Sequence, residues 1–110
     1  MGDKTDGTTF PHLPPRIGKR GTGRKPLGTK FYWRVVDEIR RIQSNAPCTL
    51  CLEKIQFEDD GRIEIRLGYY VIGEKPRMKG KWVWGQYATM MPTKDFKALI
   101  DEAQNRGWFD

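Results

Sequence analysis

The chain has 110 residues with 20 basic and 14 acidic side chains, a formal charge of +6 and a hydrophobic fraction of 37 %. That length fits one small domain, and a mean hydropathy of -0.72 leaves a core only where apolar residues are concentrated. No apolar run is long enough to span a membrane and the start is polar, so a soluble, cytoplasmic protein is expected.

The charge is unevenly placed. Residues 1–30 hold Lys4, Arg16, Lys19, Arg20, Arg24, Lys25 and Lys30 against Asp3 and Asp6, whereas residues 31–110 carry a net charge of only +1. Pro11, Pro14, Pro15 and Pro26 oppose helix and central strand, and Phe10, Leu13, Ile17 and Leu27 are too scattered to bury a face. Residues 1–29 therefore read as a disordered basic arm before a domain spanning 30–110. Within the arm, Gly18-Lys19-Arg20-Gly21-Thr22-Gly23-Arg24-Lys25-Pro26 resembles an AT-hook. That family inserts a flat Arg-Gly-Arg-Pro core into the minor groove of A·T-rich DNA. Here Lys25 stands between the arginine and the proline. Generic contact of Lys19, Arg20, Arg24 and Lys25 with a phosphate backbone is the favoured expectation.

The spacing of Tyr32, Val35, Val36, Ile39 and Ile42 predicts an amphipathic helix from a Thr29 cap to about Ser44, with Asp37 pairing with Arg41 one turn on. Asn45 and Pro47 would stop it. Cys48 and Cys51 form one C-x-x-C without a second pair, and the single histidine, His12, lies in the arm. A structural zinc site needs four ligands, so two buried or half-buried residues at a strand entrance are expected, with no metal and no cofactor.

Three antiparallel strands follow. The first runs from about Leu50 to Glu58. A three-residue loop, Asp59-Asp60-Gly61, would pair Phe57 with Ile63, Ile55 with Ile65 and Glu58 with Arg62, keeping apolar residues on one face. Lys54, Gln56, Glu64, Arg66 and Tyr70 would then share the other face. The second strand ends at Gly73, and the loop after it carries Lys75, Arg77, Lys79 and Lys81 against Glu74. The third spans about Lys81 to Ala88. Turned inward, Trp82 and Trp84 are core, which a small domain favours; turned outward, they join Tyr70 and Arg66 on an aromatic, basic surface. A final helix begins at Pro92-Thr93, buries Phe96, Leu99, Ile100 and Ala103, and ends on Gly107 with Trp108 folded back.

The expected fold is α+β: a three-stranded antiparallel sheet with two helices on one face, in the order α-β-β-β-α. That order is similar to the double-stranded-RNA-binding domain, although the last helix starts with only Lys94 and Lys97 rather than a basic cluster. No residue set passes as a nucleophile with its base, a carboxylate pair in a cleft or a metal centre, so no enzyme is expected. The expected function is non-enzymatic binding of DNA or RNA. Lys19, Arg20, Arg24, Lys25, Lys75, Arg77, Lys79 and Lys81 would sit on phosphates, while Arg66, Tyr70, Trp82 and Trp84 offer stacking. The alternative is a protein-interaction module or accessory inhibitor that uses the 62–88 hairpin. Oligomeric state is left open.

Overall fold

The computed structural model describes residues 13–44, 48–72, 80–85 and 88–109. Strands β1 (Arg20–Arg24), β2 (Lys30–Ile42), β3 (Cys48–Phe57), β4 (Ile63–Ile72) and β5 (Trp82–Trp84) form one antiparallel sheet in sequence order, curled into a half-barrel, followed by helix α1 (Thr93–Asn105). This corrects the expected α-β-β-β-α order twice. The stretch read as a first helix is β2, and the Arg20–Arg24 stretch of the arm is a strand paired to it.

The misreading of β2 has a physical cause. Phe31, Trp33 and Val35 alternate as a strand should, on the face shared with Ile55 and Phe57. The register then shifts between Val35 and Asp37, leaving Val36 as an extra residue. Such a bulge swaps odd and even positions between faces. Ile39 consequently lies opposite Leu52 in the helix-side core. The resulting Val35, Ile39, Ile42 spacing imitates a helix turn, although β-branched and aromatic residues suit a strand. Asp37 does not pair with Arg41. It accepts from Trp108 Nε1 at 3.0 Å and Arg106 NH1 at 3.1 Å, while Arg41 Nε donates to Asp95 Oδ1 at 2.6 Å.

The β3–β4 loop is also one residue longer than expected. Phe57 N–H donates to the Arg62 carbonyl and Gly61 N–H to the Phe57 carbonyl, giving a four-residue loop in which Gly61 has φ 73°. Ile55 lies opposite Glu64, and Ile63 opposite Gln56. A one-residue slip turns every β4 side chain to the other face. Glu64, Arg66 and Tyr70 therefore share a face with Ile55, Phe57 and Glu53, not with Lys54 and Gln56. Ile63 and Ile65 stand exposed on the helix-side face instead.

Helix α1 packs on the opposite face of the sheet. Leu99, Ala103 and Trp108 meet Ile39, Cys48, Leu50 and Leu52, with Leu67, Tyr69 and Val71 at the margin. Ile100 is half-buried, and Phe96, expected in the stripe, is 48 % exposed. The helix ends as its sequence predicts. Trp108 N–H donates to Ala103 O and Gly107 N–H to Gln104 O, with Gly107 at φ 76°, the double bond of a Schellman ending. At its start Thr93 is the first helical residue and Pro92 the cap, with no side-chain cap bond. Asp95 reaches back to β2 instead, accepting from Ser44 N–H at 3.0 Å and Ser44 Oγ at 2.7 Å. The helix is thus fastened to β2 at both ends. Among the described residues, no helix is long and apolar enough to cross a membrane.

Candidate functional site

Residues Lys19 to Arg34 contain Lys19, Arg20, Arg24, Lys25, Lys30 and Arg34 and no acid. They build the β1–β2 ribbon at one edge of the sheet. Its register places Arg20 opposite Arg34, Thr22 opposite Tyr32 and Arg24 opposite Lys30. Directly opposed residues share a face, so four cations flank Tyr32 on one side of the ribbon. Like charges set opposite one another destabilise a sheet. Glu58 relieves one pair: it accepts from Arg20 Nε at 2.8 Å and NH2 at 2.9 Å and lies 3.7 Å from Arg34 Nε. The Arg20 hydrogen bond holds the Glu58 carboxyl below its usual range. Among the described residues, Arg24 and Lys30 form no ion pair, and Arg24 closes the turn by donating to Gly28 O. The Arg20 guanidinium also lies 3.8 Å from the Tyr32 ring centroid.

The other side of the sheet is aromatic. Trp33 lies opposite Gly21, and an added Cβ there would meet its indole at 2.3 Å. Trp84 crosses Gly68 in the same way, at 2.1 Å. Each glycine lets an indole lie flat on the backbone, so that a ring face rather than an edge is presented. Arg66 stands between them, 4.3 Å from the Trp84 ring and 5.6 Å from that of Trp33. Tyr70 meets Trp84 edge-on at 4.8 Å. Of the expected stacking residues, the fold therefore brings Arg66, Tyr70 and Trp84 together. Trp82 enters the same face from Ile72's partner position, and both β5 tryptophans are half-buried, on the side away from the helix core.

Beneath these rings lies an ionic cluster. Glu53 is fully buried and accepts from Arg66 NH1 at 2.8 Å and Arg16 Nε at 3.0 Å. Glu38 lies 3.5 Å from Arg40 and accepts from the Arg16 amide at 3.3 Å. The Arg40 guanidinium donates to the carbonyls of Leu13 and Pro14. Residues 13–16, expected to belong to a disordered arm, are thereby drawn across the aromatic face.

The expected phosphate ligands divide by position. Lys19, Arg20, Arg24 and Lys25 fall on the ribbon or its ends, Lys81 is exposed just before β5, and Lys75, Arg77 and Lys79 lie outside the described residues. Sequence reasoning missed Arg16, Lys30, Trp33, Arg34, Arg40 and Glu53. The available signals were the acid-free run continuing to Arg34 and the mid-strand glycines that let indoles lie flat.

At the far end of the ribbon an open cleft of about 300 Å³ is lined by Lys25, Phe31, Phe57, Asp59, Arg62 and Glu64. Arg62 covers the Phe57 ring at 4.0 Å. The cysteines lie apart from both surfaces. Cys48 is in the helix-side core and Cys51 lies opposite Gly68 on the other face, so the alternation of β3 separates them. Both are free and buried, and burial pushes the Cys51 thiol up to about 12. Among the described residues, no three His, Cys, Asp or Glu side chains are grouped to hold a metal ion.

No protein-family model, no curated protein and no solved structure matches the chain.

Proposed function

We propose that the protein is a non-enzymatic nucleic-acid-binding protein whose β1–β2 ribbon carries the phosphate contacts. The supporting observation is the pairing of Arg24 with Lys30 and of Arg20 with Arg34 on one face of an acid-free ribbon. A sheet gains nothing from opposing like charges. A polyphosphate lying along that face turns the repulsion into attraction and releases its counterions. Arginine suits this role because its planar fork matches a phosphate in two hydrogen bonds. Tyr32 offers a ring at the centre of the four cations, and the Trp33 and Trp84 platforms offer further stacking on the other side of the β1 edge.

The test is an oligonucleotide titration over a series of salt concentrations, with single-stranded and duplex DNA and RNA. Affinity is expected to fall steeply with salt. The pair Arg24→Gln and Lys30→Gln is expected to lower the logarithmic slope by roughly 1.4 to 1.8, the share of two phosphate contacts. Failure of every oligonucleotide to bind at low ionic strength overturns the proposal. Truncating residues 1–29 is not an equivalent test, because it removes β1 from the sheet.

A further inference from the structure

The segment Leu13–Arg16 runs over the aromatic face and places the Arg16 guanidinium 6.0 Å from the Trp84 ring centroid, on the side that Arg66 also covers. We propose that Leu13–Arg16 is a displaceable strap that closes the Trp84–Tyr70 face to unpaired bases, an inference that rests on the nucleic-acid reading above. A guanidinium is planar, cationic and comparable in thickness to a base, so it fills a stacking position over an indole as a base does.

Three features make the strap removable. Its hold is polar: Arg16 on Glu53, the Arg16 amide on Glu38, and Arg40 on two carbonyls. Pro14, Pro15 and Ile17 are exposed, so little apolar area is lost on release. Glu53 keeps Arg66 when Arg16 leaves, so opening strands no buried carboxylate. Closure also leaves the network incompletely bonded. Trp33 Nε1, Glu38 Oε2 and Arg40 Nε are buried without a hydrogen-bond partner on this face. Such groups weigh against the closed state and regain water when the strap lifts.

The hinge is local. Lys19 N–H donates to Arg16 O across a turn in which Gly18 has φ 90°, a conformation glycine adopts without strain. The strap can swing there while β1 stays paired to β2. Release also frees the Arg16 and Arg40 guanidinium groups for phosphates next to the exposed rings.

The test compares the full chain with Arg16→Gln in binding a single-stranded oligonucleotide over a salt series. If the strap is shut about nine-tenths of the time, the variant binds about tenfold more tightly, with the salt slope unchanged. Equal affinity overturns the inference. Weaker binding with a slope reduced by about 0.7 also overturns it, because Arg16 is then a phosphate ligand. A second measurement covers a variant that does not fold. In the unaltered chain, the NMR resonance of Arg16 Nε–H is expected to lose its Glu53-bonded position when the oligonucleotide is added. Its persistence in the complex overturns the inference alone. Absence of any complex overturns the nucleic-acid reading, and the strap's role with it.

Discussion

Arg66 and Glu53 face each other directly across the β3–β4 ladder, and the guanidinium donates to the carboxylate at 2.8 Å beneath the Trp84 indole. This pair joins the sheet's interior to its aromatic surface. The same arginine neutralises a carboxylate that has no exposed surface and covers the ring that would otherwise be open.

Replacing Glu53 with Gln should therefore be strongly destabilising. The amide keeps the shape but leaves Arg16 and Arg66 without their counter-charge in a half-buried setting. Removing one member of a buried ion pair costs about 3–5 kcal/mol, and partial exposure of both arginines places the expected loss near the lower end. Urea unfolding of the two chains measures it, and a change below about 1 kcal/mol contradicts the arrangement.

Asp95 gives the fold a dependence on acid. The Ser44 amide, followed by the Ser44 hydroxyl and Arg41, holds its carboxyl down to about 2, from an ordinary 3.8. A carboxyl whose value is depressed by folding stabilises the native state above its unfolded value and loses that contribution as pH falls through the folded one. Thermal stability should drop between about pH 4 and pH 2. Asp95→Asn should be less stable than the unaltered chain at neutral pH and lose less over that acid range. Parallel profiles for the two chains contradict the role given to Asp95.

Gly68→Ala tests the flat indole. Its Cβ would stand 2.1 Å from Trp84, so the ring must lift off the backbone. Overpacking of this kind costs about 1–3 kcal/mol when neighbours cannot yield, and less where an indole can swing aside. The expected result is a modest loss of stability with a changed tryptophan near-ultraviolet circular dichroism spectrum. Unchanged spectra would mean that Trp84 does not lie on Gly68.

Cys51 should be inert in the native state. Its thiol is buried and pushed up to about 12, so almost none is thiolate at pH 8, and the thiolate is the reactive form. Alkylation by iodoacetamide should be far slower in the native chain than in urea. Equal rates contradict the burial of this residue. No intramolecular disulfide with Cys48 should form under oxidation, because the two side chains leave β3 on opposite faces.

The sequence by itself determined what depends on neighbours along the chain. The last helix and its Gly107–Trp108 ending were legible because periodicity, a left-handed glycine and the returning tryptophan all act within one or two turns. The alternation of β3 and β4 and the acid-free basic run were legible for the same reason. What only the tertiary structure decided are the matters set by partners far away in the chain. The bulge at Val36 makes β2 imitate a helix, and pairing with β3 on one side and β1 on the other fixes it as a strand. The four-residue loop, chosen by the sheet as a whole, decides which β4 face Arg66 and Tyr70 occupy. The contact between Arg16 and Glu53 links residues 37 positions apart. No local propensity encodes such a contact, because its stabilisation appears only once the sheet has brought the two charges out of water together.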